Sequence, residues 1–319
     1  MRKRNVVWRT QAWLAAAMTA VTIGGTVVSA DAVAEEGAQT AIGPKLELLS
    51  VEKVWDQSPH TAFTDLVRFQ DRWYLAFREG QGHVSEDGAG RILVSDDATN
   101  WVPAARLTSN RGDVRDPKLS ITPSGELMVT TAVAIQPPGD VRHQSYAWFS
   151  EDGENFSEPV AIGDENFWLW RTDWHDGAAY AIGYATTEPR QIRLYRSRDG
   201  RQFETLIERM KPSGYANESS IAFAPDGTAT CLLRCDGENA PGQLGTAQPP
   251  YTDWSWKSLD RRIGGPKLIR LDDGRLLAGV RLYDGGARTS LCWIDPETGV
   301  VDECLRLPSG GDTSYPGLV

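Results

Sequence analysis

The chain reads Ser150-Glu151-Asp152-Gly153-Glu154-Asn155-Phe156 after a predicted strand, and residues 95–101 and 197–203 follow the same pattern. The pattern is Ser, any residue, Asp-Gly, two further residues and an aromatic, with Ala98 as its one departure. An Asp at this position caps backbone N–H groups of its own turn, and glycine adopts the positive φ of a tight hairpin. The three stretches therefore predict hairpin turns with a structural role.

The spacing of these turns predicts the architecture. Their serines, at positions 95, 150 and 197, lie 55 and 47 residues apart, which suits a blade of four short strands. Aligning the apolar strand that opens each unit gives six starts: Phe63-Thr64-Asp65-Leu66, Asp116-Pro117-Lys118-Leu119, Arg171-Thr172-Asp173-Trp174, Glu218-Ser219-Ser220-Ile221, Gly265-Pro266-Lys267-Leu268 and Tyr315-Pro316-Gly317-Leu318. The sequence thus predicts an all-β, six-bladed propeller of four-stranded antiparallel blades.

The last blade is predicted to be incomplete at the C-terminus. Its unit holds one innermost strand before Val319, whereas a complete unit needs about 45–50 residues. Alternating apolar residues between Lys45 and Trp55 predict one outer strand that closes the ring. The alternatives are a truncated sequence and an open last blade with exposed edge groups.

Composition excludes several classes of function. The 319 residues include 33 Lys and Arg against 43 Asp and Glu, a formal net charge of −10, so we expect no nucleic-acid binding by charge. The counts of Gly (31), Pro (18) and Trp (12) favour short strands over long helices. The four histidines are scattered singly, so we predict no metal site and no cofactor.

The N-terminus predicts export. Four basic residues precede an apolar stretch, 13–28, and small residues follow it at Ala30, Ala32 and Ala34, as in a cleaved secretory signal. A membrane anchor is the alternative, but threonines and glycines dilute the apolar stretch. We predict a signal peptide at 1–34, a linker at 35–44 and a propeller domain at 45–319, with the mature protein periplasmic or extracellular and off the membrane.

Export makes the four cysteines candidates for disulfides. Cys231 and Cys235 lie four apart in a predicted strand, too far to bridge, so we expect both to be free and buried. Cys292 and Cys304 flank a predicted turn at 295–299 and are either bridged or free.

The first residues of the six starts predict a site. In a propeller the innermost strands run along the central axis, so Phe63, Asp116, Arg171, Glu218, Gly265 and Tyr315 are expected to surround one mouth of it. Two carboxylates, a guanidinium group and a phenol are costly to bury together in an apolar core. Structural ion pairs are the alternative explanation for each charged residue alone.

Over residues 45–319 the sequence resembles the sialidase (neuraminidase) superfamily of six-bladed propellers. Asn217-Glu218-Ser219-Ser220 resembles the segment with the glutamate that activates the nucleophile, and Arg234 follows sixteen residues on, where the family places a carboxylate-binding arginine. Arg288 resembles the next such arginine, and Tyr315 stands at the position of the tyrosine nucleophile. The resemblance implies a glycan substrate.

The first blade departs from the family pattern. Sialidases carry an Arg-Ile-Pro segment there, whereas this chain reads Ala62-Phe63-Thr64-Asp65-Leu66. Arg78 and Arg115 are the candidate substitutes, and Glu79, His83 and Arg171 are further candidates for substrate binding. The family's acid/base aspartate lies on the first-blade loop, where this chain offers His83, Glu86 and Asp87 without a decisive match. Asp116 is the candidate acid if that loop supplies none, with a salt bridge to Arg115 or to a neighbouring blade as the alternative.

The function expected from these residues is that of a retaining exo-glycosidase acting on a terminal acidic sugar of the sialic acid class. Tyr315 would be the nucleophile, Glu218 its base and Asp116 the acid. A non-catalytic glycan-binding propeller is the main alternative, and a purely structural exported propeller is the third.

Overall fold

The computed structural model describes residues 42–309 and 313–319, which form five four-stranded antiparallel sheets. Within each sheet, hydrogen-bonded neighbours follow one another in sequence. The strands, four to a blade, are β1 (His60–Phe69), β2 (Arg72–Gly80), β3 (Ala89–Ser95), β4 (Val102–Leu107); β5 (Gly112–Ile121), β6 (Leu127–Ile135), β7 (His143–Ser150), β8 (Val160–Ile162); β9 (Phe167–His175), β10 (Ala178–Ala185), β11 (Ile192–Ser197), β12 (Phe203–Ile207); β13 (Tyr215–Phe223), β14 (Ala229–Asp236), β15 (Gln243–Ala247), β16 (Ser255–Ser258); and β17 (Ile263–Arg270), β18 (Leu276–Leu282), β19 (Arg288–Ile294), β20 (Val301–Arg306).

The three Asp-containing turns join the third and fourth strands of blades 1, 2 and 3, as hairpins. In the second, Ser150 Oγ donates to Asp152 Oδ1 at 2.9 Å, and the same oxygen accepts the N–H groups of Glu154 and Asn155 at 2.9 and 2.8 Å. The backbone N–H of Asn155 is the main reason that the pKa of Asp152 lies well below its usual range. The predicted structural role of these turns is confirmed.

The hydrophobic core lies between neighbouring blades. Phe69, Tyr74 and Ile92 of blade 1 pack on Val129 and Trp148 of blade 2, and comparable clusters join blades 2 and 3, 3 and 4, and 4 and 5. Burying each large apolar side chain contributes about 1.5–3 kcal/mol. The sheets are therefore held face to face around a common axis.

The prediction of six blades is wrong, because the described residues contain five. The sixth start was inferred from the match at Tyr315–Leu318, and that segment pairs with no strand of the described chain. It lies between blades 5 and 1, where Tyr315 has a positive φ angle of 64° and side chains hold the backbone. Thr64 Oγ1 donates to the Tyr315 carbonyl at 2.7 Å, and Arg171 Nη2 to the Pro316 carbonyl at 2.9 Å.

The outer strand predicted between Lys45 and Trp55 is also absent, since residues 43–56 contain no strand. This segment crosses instead from blade 5 to blade 1. The Leu46 N–H donates to the Cys304 carbonyl at 3.3 Å, and the Trp55 ring packs 5.8 Å from that of Phe77.

All five innermost strands carry a β-bulge near the residue predicted to face the axis. The register shifts fall between Ala62 and Asp65 in β1, Arg115 and Lys118 in β5, Ala216 and Ser219 in β13 and Gly264 and Lys267 in β17, and opposite residues 181–183 in β9. Phe63 and Asp116 have positive φ angles of 61° and 51°, a conformation that bulky L-residues rarely adopt. A bulge redirects side chains at sheet ends, and here it is what directs the site residues.

The four cysteines are free and buried, so Cys292 and Cys304 are not bridged. The predicted signal peptide and most of the predicted linker lie outside the described residues. No helix among the described residues is long and apolar enough to cross a membrane.

Candidate active site

Glu218, Arg234 and Tyr315 meet near the propeller axis. Glu218 comes from the bulge of β13 and Arg234 from the adjacent strand β14. The Tyr315 hydroxyl donates to Glu218 Oε1 at 3.0 Å, and Arg234 Nη1 lies 2.9 Å from both Glu218 oxygens and 3.2 Å from the Tyr315 hydroxyl. The structure thus brings together the residues that the sequence assigned to a base, an arginine and a nucleophile.

Further hydrogen bonds fix the Glu218 carboxylate. The Gly265 N–H donates to Oε2 at 3.0 Å. Behind Arg234, Asp236 binds the guanidinium group at 2.9 Å and also accepts the Asn217 amide at 2.7 Å. A carboxylate held rigidly within hydrogen-bond distance of a hydroxyl has the geometry of a general base.

The Tyr315 phenol stands in a mostly aromatic pocket and is 9% exposed. Its ring centroid lies 4.9 Å from that of Phe63 and 5.6 Å from that of Trp170. Burial and then the Glu218 charge raise the pKa of Tyr315 well above its usual value, while Arg234 acts in the opposite direction. The phenol is therefore neutral at neutral pH, and its proton leaves only when a base accepts it.

Asp116 is a buried carboxyl group without an ion-pair partner among the described residues. It is 4% exposed, and its Oδ1 has no hydrogen-bond partner in the described chain. Burial raises the pKa of Asp116 to about 6, with the Glu218 charge acting in the same direction and Arg115 against it. The salt bridge to Arg115 that was the alternative is not formed, and the group can hold a proton in mildly acidic solution.

Arg78 of blade 1 and Arg115 of blade 2 hold the loop that carries His83 in place. Arg78 is fully buried, with its Nε 2.8 Å from Asp113 Oδ1 and its Nη1 donating to the Gly82 carbonyl at 2.8 Å. Arg115 Nη1 donates to the His83 carbonyl at 3.1 Å and lies 3.3 Å from Asp113 Oδ2. The exposed His83 ring packs edge-on against Phe63 at 5.4 Å. Of this set, His83 and Arg115 both reach the Tyr315 pocket through Phe63, since the Arg115 guanidinium carbon also lies 5.4 Å from the Phe63 ring centroid.

Three other candidates are engaged in ion pairs. Glu79 is bound by Arg91 and Arg106 at 2.7 and 2.8 Å on the outer strands of blade 1. Arg171 lies 2.9 Å from Asp65.

Arg288 is bound to Glu303 at 2.6 Å and to Asp284 at 3.3 Å. No contact joins Arg288 to Glu218 or Tyr315 within the described ranges. The structure therefore does not bring Arg288 to the Tyr315 pocket.

Sequence reasoning missed Arg281. Its guanidinium carbon lies 5.5 Å from the Tyr315 ring centroid, and its Nε donates to the Thr313 carbonyl. Arg281 follows Gly265 by sixteen residues, the same interval that separates Glu218 from Arg234. That interval is the signal that would have found it.

Tyr184 was also missed. It lies on β10 opposite Trp168, stacks on that ring at 6.0 Å and packs against Trp170 at 6.4 Å. Burial raises the pKa of Tyr184, and the charges of Glu218 and Asp116 raise it further. No spacing in the sequence distinguishes this tyrosine from an ordinary core residue.

No metal site is indicated. Within residues 42–309 and 313–319, no group of three or more His, Cys, Asp or Glu side chains is arranged to hold a metal ion.

Solved structures share this fold. A protein of unknown function from Dyadobacter fermentans superposes with a TM-score of 0.66 at 18% identity, over 80% of this chain and 86% of its own. The NanB sialidase from Streptococcus pneumoniae gives 0.61 at 11% identity, over 86% of this chain and 65% of its own. An alpha-L-arabinanase from Penicillium chrysogenum, solved with arabinobiose, gives 0.57 at 13% identity, over 77% and 83%.

These likenesses define the fold as a β-propeller similar to those of several glycoside hydrolases. Comparisons with protein-family models and with curated sequences found no match.

Proposed function

We propose that the protein is a retaining exo-glycosidase that removes a terminal acidic sugar of the sialic acid class from a glycan. The observation that carries this proposal is the 3.0 Å hydrogen bond from the Tyr315 hydroxyl to Glu218, with Arg234 in contact with both groups. We propose also, from residues 1–34, that the protein acts after export.

A tyrosine nucleophile suits an anionic substrate. A sugar whose anomeric carbon bears a carboxylate repels an anionic nucleophile, whereas a neutral phenol acquires charge only as it attacks. Arg234 and Arg281, both near Tyr315, supply guanidinium groups for the substrate carboxylate.

The reaction then has two displacements. The Tyr315 oxygen attacks the anomeric carbon while Glu218 accepts its proton, and Asp116 gives a proton to the departing oxygen. In the second step water, losing its proton to Asp116, displaces Tyr315, which regains its proton from Glu218. Two inversions leave the anomeric configuration unchanged.

The test is a panel of fluorogenic glycosides that includes sialosides, assayed with the native protein and with Tyr315→Phe. We expect the native protein to hydrolyse an acidic glycoside with retention of configuration, as measured by NMR of the first product anomer. We expect Tyr315→Phe to lose this turnover. Turnover that survives in Tyr315→Phe would exclude the nucleophile. Inverted product would exclude the two-step mechanism.

A glycan-binding propeller is the second candidate. The observation that favours it is that Arg78 and Arg115, the candidate substitutes for the missing first-blade arginine, are both engaged with Asp113. Its signature is affinity for an acidic sugar in the absence of turnover on every glycoside of the panel. Comparing the acidic sugar with its amide, which keeps the shape and loses the charge, separates charge recognition from a neutral-glycan site.

A further inference from the structure

One layer further along the axis from the Glu218–Tyr315 pair, the innermost strands carry an ionic cluster. Arg171 Nη1 lies 2.9 Å from Asp65 Oδ1, and Lys267 Nζ lies 3.9 Å from Asp173 Oδ1. With these two pairs, Lys118 lines a small cavity. Three cations against two anions leave the cluster with one excess positive charge.

The excess charge is best assigned to Lys118. This lysine is 2% exposed, and no carboxylate of the described chain lies within salt-bridge distance of its Nζ. Its Nζ donates to the Thr64 carbonyl at 3.2 Å and lies 5.2 Å from the centroid of the Trp170 ring. A buried ammonium group with so few partners is costly unless nearby negative charge compensates it.

Those two contacts lead directly to Tyr315. Thr64, whose carbonyl accepts from Lys118, donates its hydroxyl to the Tyr315 carbonyl at 2.7 Å. Trp170, which faces the ammonium group, packs on the Tyr315 ring at 5.6 Å. Lys118 therefore contacts two residues, Thr64 and Trp170, that each contact Tyr315.

The charges around Lys118 come from every innermost strand packed against it. Asp116 precedes it by two residues on β5, Asp65 lies on β1, and Arg171 on β9. Glu218 on β13 also acts on it. Lys267 and Asp173 complete the cavity that Lys118 lines.

We propose that Lys118 is a positioning residue of the site. Its ammonium group offsets the negative charge of Asp116 and Glu218 and, through Thr64 and Trp170, holds the segment that carries Tyr315. Burial and then Arg171 lower the pKa of Lys118 to about 8, so it is charged over the pH range in which Asp116 ionises. The role of Asp116 as the acid rests on the proposed function. The charge coupling between Lys118 and Asp116 does not depend on that function.

The first test measures the coupling without catalysis. The Asp116 carboxyl carbon is followed by NMR during a pH titration of the native protein, Lys118→Met and the matched control Lys267→Met. Loss of a nearby positive charge should raise the pKa of Asp116 by about one unit, a tenfold change in its dissociation constant. Lys267→Met should leave it within about 0.3 units of native. An unchanged Asp116 titration in folded Lys118→Met overturns the proposal.

A second measurement needs no variant at Lys118. In the native protein with 15N-labelled lysine, the buried ammonium resonance should show one inflection near its own pKa of about 8 and another near 6, where Asp116 ionises. The lower inflection should vanish in Asp116→Asn. Its absence from the native protein overturns the coupling even if Lys118→Met does not fold.

Turnover distinguishes this inference from the proposed function. If a glycoside is hydrolysed, the alkaline limb of kcat/KM in Lys118→Met should shift upward together with the Asp116 titration. If no glycoside is hydrolysed while the titration still shifts, the proposed function fails and the coupling stands.

Discussion

Two arginine–glutamate pairs in neighbouring blades differ in the strand that carries the glutamate. Glu218 lies in the bulge of the innermost strand β13, and Arg234 Nη1 approaches it to 2.9 Å. Glu303 lies on the outermost strand β20, where Arg288 Nη2 approaches it to 2.6 Å. The ion pairs are chemically alike, so the position of each strand in its blade decides what else the carboxylate meets.

The inner carboxylate meets a phenol, whereas the hydrogen bonds of the outer one, within the part of the chain that the structure describes, come from Arg288 and Ser290 of its own blade. Tyr315 donates to Glu218 at 3.0 Å, whereas Ser290 from the adjacent strand donates to Glu303 at 2.6 Å. The Arg288 hydrogen bonds are the main reason that the pKa of Glu303 falls to about 2. We infer that Glu303 stabilises blade 5 and that Glu218 is available for proton transfer.

The largest expected effect separates the two glutamates. Glu218→Gln should lower kcat by about 1000-fold, because the lost proton acceptor acts mainly in the transition state, and should leave affinity for an unreactive acidic sugar within about tenfold. Glu303→Gln should leave kcat within about threefold of native. Steady-state kinetics on a fluorogenic sialoside and calorimetric binding measure the two quantities. Equal losses of kcat in both variants would remove the distinction.

Asp116 can be compared with Glu218 and Glu303, because it forms no ion pair with a residue of the described chain. Asp116→Asn should lower kcat/KM, which reports the first displacement, by about 100-fold or more for an alkyl glycoside, whose leaving oxygen needs a proton, and by less than about tenfold for a nitrophenyl glycoside. Since the acid must be protonated and its pKa is about 6, native kcat/KM should fall as pH rises through that value. The variant should lack this alkaline limb, and equal losses on both glycosides would contradict the role.

A smaller effect should separate the two arginines. Arg234→Lys keeps the charge but loses the planar fork, so we expect KM for an acidic glycoside to rise about tenfold. Arg288→Lys should change KM by less than about twofold. If Arg288→Lys raises KM as much as Arg234→Lys, the assignment made from the sequence is the better one and Arg288 belongs to the binding site.

The parts of the fold that could be predicted from the sequence are those whose sequence pattern repeats along the chain. The hairpin turns and the five innermost strands were predictable because each combines a local turn with an apolar strand, although the strands begin two to four residues before the predicted starts. Those starts also predicted Glu218 and Asp116 near the axis, and the structure adds that each lies in a bulge. The sixth start, Tyr315–Leu318, has the same local pattern. A strand also needs a neighbouring strand to pair with, and a local sequence pattern gives no information about that neighbour.

The arginines show the same limit at the site. Arg288 matched the family pattern in sequence, yet it begins β19, and its partner Glu303 lies on β20. Arg281, on the second strand of the blade, is the residue over Tyr315. Which strand of a blade a residue occupies is set by pairing register, and a motif read along the chain does not fix that register.

The smallest predicted effect tests whether the outer pair is structural, through the pH dependence of stability. The pKa of Glu303 is about 2 in the folded chain and about 4.5 for an ordinary glutamate, so the folded state favours the ionised form. The pair therefore stabilises the fold fully above pH 4.5, and this contribution is lost as pH falls from 4.5 towards 2. Because Glu303 is partly exposed to water, we expect about 1 kcal/mol. Urea unfolding of the native protein and Glu303→Gln between pH 2 and 7 should show a difference in the free energy of unfolding that shrinks on acidification. A difference that stays constant over this range would mean that the Glu303 charge does not contribute, and the contrast with Glu218 would then rest on position alone.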